Sequence, residues 1–410
     1  MTAADPGTLT WLRDRNDRAA LRLLLEHGPL SRAQLAELSG MSKPSAAKML
    51  ARLEQAGLAV IVGESPGARG PNAMLYGVRP TAMTGVAINI LPDVIEAVAV
   101  DPVGTVHPVV TIPVPEGSRA PQDDVEAAVE TACAAAGLDA GEVSLVVIGV
   151  QAAVNPNADE VAFTNTLPGW PLAGARARIE LATGRTVILD NDVTLAALAE
   201  RASGAVDHAP SFVYLWLGDG LGAGLDVDGV VQRGSTGGAG EIGYLEVPRS
   251  AAALDAAARD FTDLLGRHGI VGLLGAGAGA SLAEVLPETL AGHPALDALA
   301  ARVALLVAPI VALNDPGLVV LGGPTGTAGG AALAERVEAR LQADDAPRLH
   351  APRSLPRTRV VTASVTDRPV LTGARQLLVS HIWNRLDEAV SSGNPEAVPA
   401  TAALLGRTQG

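Results

Sequence analysis

Two helix starts set close together constrain residues 1–80 more than any other feature of the chain. Ser31-Arg32-Ala33-Gln34 reads as a capping box: the Ser31 hydroxyl and the Gln34 amide each satisfy a backbone donor that the helix end leaves free. The helix this opens, 32–39, stops at Gly40. The tight turn Gly40-Met41-Ser42 leads to a second helix over 43–56, with Pro44 tolerated in its first turn. Ala33, Leu35, Ala36, Leu38, Met41, Ala46, Leu50 and Leu53 give one buried stripe over both helices. A helix over 16–27, ended by Gly28-Pro29, precedes the pair, and strands at 58–62 and 73–78 follow it around a Gly/Pro-rich loop, 63–71. Helix, helix, turn, helix and hairpin in that order predict a winged helix-turn-helix over 11–80.

The second helix of such a pair lies in the major groove of DNA, with its N-terminal side chains at base edges and phosphates. Here those are Ser42, Lys43, Ser45 and Lys48, with Arg52 further along. Arg69 stands between glycines at the wing tip, suited to a narrow minor groove or to a phosphate. Formal net charge is −14, which over the whole chain argues against nucleic acid. Its distribution argues otherwise. Residues 1–80 hold ten Lys and Arg against seven Asp and Glu, and the rest hold twenty against thirty-seven. Lys43 and Lys48 are the two lysines of the chain. Double-stranded DNA is the expected partner of this segment, and a protein-binding winged helix is the bland alternative.

The remaining sequence is aliphatic α/β. Of 410 residues 48% are hydrophobic and only 2% aromatic, so the core must be built from Ala, Val, Leu and Ile. Strands are expected at 85–91, 94–101, 105–114 and 143–151, with a helix at 122–136. A loop through Asn165 and Leu167-Pro168-Gly169-Trp170 leads to a helix around 172–182. A strand at 186–189 then feeds Asp190-Asn191-Asp192 and a helix at 193–202. The pattern repeats after 206: a hairpin over 211–227 around Gly218-Asp219-Gly220-Leu221-Gly222, a glycine-rich loop Gly237–Gly243, helices filling 252–313, and a strand at 317–321 ending in Gly322-Gly323. Two such halves imply two lobes, 81–205 and 206–370, with a cleft between them. A helix at 371–390 would pack back on the lobes, and 391–410 reads as a flexible tail. Cys133 stands alone, which excludes a disulfide framework and a cysteine zinc cluster. Apolar runs such as 303–313 fall short of the ~20 residues that span a bilayer, and no leader opens the chain, so a cytoplasmic protein is expected.

These motifs together resemble the ROK family, which unites sugar-responsive transcriptional repressors with sugar kinases. Residues 30–36, the turn at Gly40-Met41-Ser42 and the wing 67–71 resemble the winged helix of its regulators. Residues 189–192 with Leu195-Ala196-Ala197 and Glu200 resemble its sugar-binding Asn-Asp segment and the helix after it. Gly237–Gly243 resembles its Gly-Glu-Ile-Gly signature, and Asn314-Asp315-Pro316 with 319–323 its adenosine-side motif. The resemblance implies a hexokinase/actin-like fold, a dimer or tetramer, and a sugar effector held by Asn165, Asn191, Asp192, Glu241 and Tyr244.

The departures from that pattern bear on chemistry. Where a kinase of the family carries Asp-x-Gly-Gly-Thr, the sequence reads Asn89-Ile90-Leu91-Pro92-Asp93. Bulky residues replace the glycines, Pro92 removes a donor and Asp93 sets a negative charge by the phosphate position, so no kinase activity is expected. The family's zinc-binding cysteines are missing, and Tyr244 stands in place of its histidine, so no cofactor is expected. Bland readings stand beside the functional ones. Asn191 and Asp192 could cap the helix at 193, and 218–224 could be a plain hairpin turn. Trp170 could be packing or a sugar platform, and Cys133 a small buried hydrophobe. The sequence therefore reads as a regulator, most simply a repressor; the rivals are a sugar kinase that also binds DNA, and a DNA binder with no effector.

Overall fold

A computed structural model describes residues 9–66, 72–114, 119–162, 167, 169–204, 206, 209–248, 254–343 and 358–392. Its first elements are α1 (Leu9–His27), β1 (Leu30–Ser31), α2 (Arg32–Ser39), α3 (Lys43–Gln55), β2 (Ala59–Ser65) and β3 (Ala73–Val78). Both expected caps form. Ser31 accepts from the Gln34 amide while Gln34 reaches back to the Ser31 N–H, and Ser42 accepts from the Ser45 N–H. Gly40, at φ 66°, closes α2 in the left-handed conformation that favours glycine. The three strands form a small sheet in the order β1-β3-β2.

Three expectations need correction here. The first helix starts at Leu9, well before 16. Ala33 and Leu38 are exposed, Leu38 by 47%, because the one buried face of the short helix α2 carries Leu35 and Ala36. The wing residues 67–71, Arg69 among them, lie outside the described residues.

The body has two five-stranded sheets with one plan. The first is built from β4 (Thr84–Ile90), β5 (Val94–Val100), β6 (Val110–Pro113), then α4 (Pro121–Ala136), β7 (Val143–Val150), the small hairpin β8 (Ala153–Val154) and β9 (Val161–Ala162), α5 (Ala175–Thr183) and β10 (Thr186–Asn191). Its order is β10-β7-β4-β5-β6. After α6 (Asp192–Ser203) come β11 (Phe212–Leu217), β12 (Leu221–Val227) and β13 (Val230–Gln232). Next are α7 (Phe261–Leu265), α8 (Arg267–Leu273), α9 (Leu282–Val285), α10 (Leu296–Asn314), β14 (Leu318–Gly322), α11 (Gly323–Gln342) and β15 (Arg359–Thr362). Their sheet runs β13-β12-β11-β14-β15. In each sheet the first three strands form an antiparallel meander, and two later strands add in parallel beside the first of them.

The expected strand at 105–114 shrinks to Val110–Pro113, because the Asp101 carboxylate accepts the N–H groups of Val103 and Thr105 at 3.0 and 3.1 Å and holds that stretch as a turn. The helical stretch expected at 252–313 is three short helices followed by α10. That last helix is longer and more apolar than expected, enough in length and composition to cross a membrane. Its apolar side, Leu296, Leu299, Val303, Leu306 and Val307, is buried in the second lobe's core beneath β11 and β14.

The last of the described elements is α12 (Pro369–Ser392), which crosses α6 and lies over β4 and β7. Gly373 makes the crossing possible: a Cβ there would sit 1.8 Å from the Leu195 carbonyl oxygen. Leu378, Ile382 and Leu386 of α12 join Leu21 and Leu24 of α1 and Leu195 of α6 in one continuous apolar core. Arg22 of α1 grips Asp387 of α12, with Nε at 2.9 Å. The winged segment and the body thus share a core rather than a linker.

Candidate functional site

The helix α3 presents Lys43 and Lys48 to solvent, and no ion pair occupies either among the described residues. Ser42 is exposed and its hydroxyl lies 2.9 Å from that of Ser45, so the helix N-terminus offers two hydroxyls beside two cations. Arg52 is placed differently from the expectation. Its guanidinium holds the buried carboxylate of Asp17 on α1, at 2.6 and 2.5 Å, and its task is to fix α3 against α1. Asp17 and Arg52 are far apart in sequence, so no local signal announced the pair.

Residues of both sheets come together at the start of α6, where Asp192 lies close enough to Glu241 to feel its charge. The last strand of the first sheet, β10, delivers Asn191 and Asp192 to the start of α6. From the other lobe, the loop after β13 carries Glu241 and Tyr244. Two glycines let that loop approach: a Cβ at Gly237, φ +81°, would lie 2.0 Å from the Val154 carbonyl, and one at Gly240, φ +91°, would lie 1.9 Å from that of Ala223. Asn157 donates to the Ser235 carbonyl at 3.0 Å, adding a contact between the lobes.

Asn191 is a cap in this fold. Its Oδ1 accepts the Thr194 N–H at 3.0 Å and its Nδ2 donates to the Ala152 carbonyl at 3.0 Å. Asp192 accepts the Val193 N–H at 2.8 Å, and its charged form is further favoured by its own backbone N–H. Burial pushes its carboxyl up to about 7, against the Val193 bond, and the Glu241 carboxylate adds to the rise. Burial likewise raises Glu241. Tyr244 is 57% exposed, its phenol raised first by burial and then by Glu241. Asn165 lies outside the described residues. The site therefore offers two desolvated carboxyls with hydrogen-bonding capacity to spare, which is chemistry suited to hydroxyl donors.

The turn between β4 and β5 is closed by its own hydrogen bonds. Leu91 donates to the Val94 carbonyl at 3.0 Å, and the outward carbonyls of Leu91 and Pro92 are met by the buried Arg119 guanidinium at 2.7 and 3.2 Å. Arg119 pairs with Asp124, which also accepts from the Trp170 indole at 2.8 Å; Trp170, 6% exposed, is packing of the first lobe. Asp219 and Gly220 turn the hairpin of β11 and β12, where Gly218 donates to the Gly220 carbonyl. In the second lobe a cavity of about 330 Å3 opens beside Gly323, lined by Tyr214, Trp216, Glu288, Pro324 and Thr366. Cys133 is buried in the first lobe's core. Among the described residues no group of three or more His, Cys, Asp or Glu is placed to hold a metal ion.

Comparison with known proteins matches residues 86–268 to the ROK family and residues 13–59 to a winged helix-turn-helix DNA-binding segment. A putative xylose repressor from Caldicellulosiruptor sp. is 24% identical over 59% of this chain and 61% of its own length. A glucokinase from Halalkalibacterium halodurans is 39% identical over 19% of this chain and 24% of its own. A solved ROK family transcriptional regulator, a homologue of the E. coli MLC protein, superposes with a TM-score of 0.64 at 22% identity over 93% of this chain and 99% of its own. The chain spans about three-fifths of the length of the xylose repressor it matches.

Proposed function

We propose that this chain, which carries a ROK family domain behind a winged helix-turn-helix, is a DNA-binding transcriptional repressor whose sugar-kinase-like body senses a carbohydrate. The observation that carries the DNA reading is the exposed pair Lys43 and Lys48, held by no ion pair among the described residues, beside the Ser42 and Ser45 hydroxyls at the start of α3. Arg69 is proposed to add a wing contact. A homodimer presenting two such helices to a palindromic operator is the simplest assembly. Asp192 and Glu241 are proposed to bind sugar hydroxyls, with Tyr244 at the rim and Asn191 and Asn165 flanking them. No phosphoryl transfer is proposed: the β4–β5 turn offers carbonyls already held by Arg119 where a phosphate needs donors.

The test is fluorescence anisotropy on DNA from upstream of the chain's own gene, against competitor DNA, across a salt series. Lys48→Ala is expected to weaken binding and lower the salt slope by about 1. Binding no tighter than to competitor DNA would overturn the repressor reading. A second reading, a sugar kinase that also binds DNA, is favoured by the cavity beside Gly323 and by the short stretch of likeness to a glucokinase. ATP turnover on a hexose panel that is lost in Asp192→Asn would establish it.

A further inference from the structure

Asp190 and Arg233 belong to different lobes and meet beside the cleft. Asp190 ends the exposed edge of the first sheet, one residue before Asn191, with its side chain only 5% exposed. Arg233 follows β13, the edge strand of the second sheet, and roots the glycine loop: its carbonyl accepts the Ala239 N–H at 3.3 Å. The guanidinium grips the carboxylate with Nε 3.2 Å from both oxygens and a terminal nitrogen at 2.5 Å. A planar fork on a carboxylate fixes orientation as well as distance, so the pair sets where the strand end lies relative to the loop. His381 of α12 is close enough for its ring to feel both charges.

We propose that Arg233 and Asp190 are the positioning pair of the effector cleft. They hold Asp192 on one lobe in register with Glu241 on the other. The inference rests on the effector reading given above. Neither residue is proposed to touch the ligand; both act through Asp192 and Glu241. Other ties between the lobes serve elsewhere, among them Arg368 with Glu96 and the Val365 N–H with the Glu200 carboxylate. Arg201 pairs with Asp226 near the far end of α6, and Asn157 meets Ser235 through an uncharged bond. The Asp190–Arg233 pair joins the strand end that bears Asp192 to the root of the loop that bears Glu241.

The test uses the full chain with spin labels at Leu181→Cys on α5 and Leu313→Cys on α10, which are 89% and 85% exposed and lie on different lobes. Double electron–electron resonance would report the distance between lobes, with and without D-xylose, D-glucose and N-acetyl-D-glucosamine. The parent is expected to give one narrow distance, and Arg233→Ala a broad one, with Arg233→Lys between them. Sugar-dependent weakening of DNA binding in the parent is expected to lie within the roughly 5–150-fold range of coupled sites and to fall below about twofold in Arg233→Ala. Asp190→Asn, which keeps the shape and removes the charge, should match Arg233→Ala and replaces it should that variant fail to fold. A narrow, unshifted distance in both variants, or an unchanged sugar response, would overturn the proposal. If no sugar acts on the parent, the effector reading fails, and the ligand-free distances alone decide the pair.

Discussion

Asp192 shows how one position carries both a legible and an illegible part. That an acidic residue begins the helix after β10 was readable from the sequence; its desolvation was not, because burial, and the smaller push of the Glu241 charge from the other lobe, arise only from tertiary packing. The consequence is measurable. Its folded carboxyl value is about 7, against about 3.9 in an unfolded chain. Between those values the folded state binds more protons than the unfolded state, so this group's contribution to stability is full below the lower value and falls as pH rises through the window. Asp192→Asn is expected to be more stable than the parent at pH 8 by up to about 4 kcal/mol and nearly level with it near pH 4, read by denaturant titration at each pH. A gap independent of pH would contradict the burial argument. Arg52 carries the complementary lesson. Its place on the reading helix suggested DNA, and only the fold reveals Asp17 waiting on α1.

Elements with local causes were the easiest to foresee. The helices α2 and α3 were legible to the residue at their starts because a serine hydroxyl and its target amide lie three residues apart. Ser31→Ala should therefore cost about 1 kcal/mol in thermal or chemical unfolding while leaving the face of α3 unaltered. What the sequence could not supply was the crossing of α6 and α12, since nothing local says that the carbonyl of Leu195 will come to rest against Gly373. Gly373→Ala puts a methyl group where there is no room and should destabilise the chain by about 1–3 kcal/mol. An unchanged melting temperature in that variant would mean that the two helices do not lie as described. The shortened strand β6 has a similar origin: Asp101 captured the backbone donors that a longer ladder would have used.

At the scale of the molecule, the repeated sheet plan was legible from the recurrence of strands and glycine loops, and the docking of the winged segment was not. Arg22 and Asp387 stand at opposite ends of the chain, and no periodicity links them. Breaking the pair with Arg22→Ala should raise amide hydrogen exchange across α1 to α3, at a stability cost of about 1 kcal/mol because Arg22 is largely exposed. An exchange pattern like the parent's would show that the apolar contacts alone seat the segment. The shared core also bears on synthesis. The winged segment leaves the ribosome well before α12, so the apolar surface that α1 turns toward Leu378, Ile382 and Leu386 stays uncovered until α12 emerges. A nascent chain arrested before Pro369 is therefore expected to keep that surface open to chaperones and proteases, so that a segment made early waits on one made late.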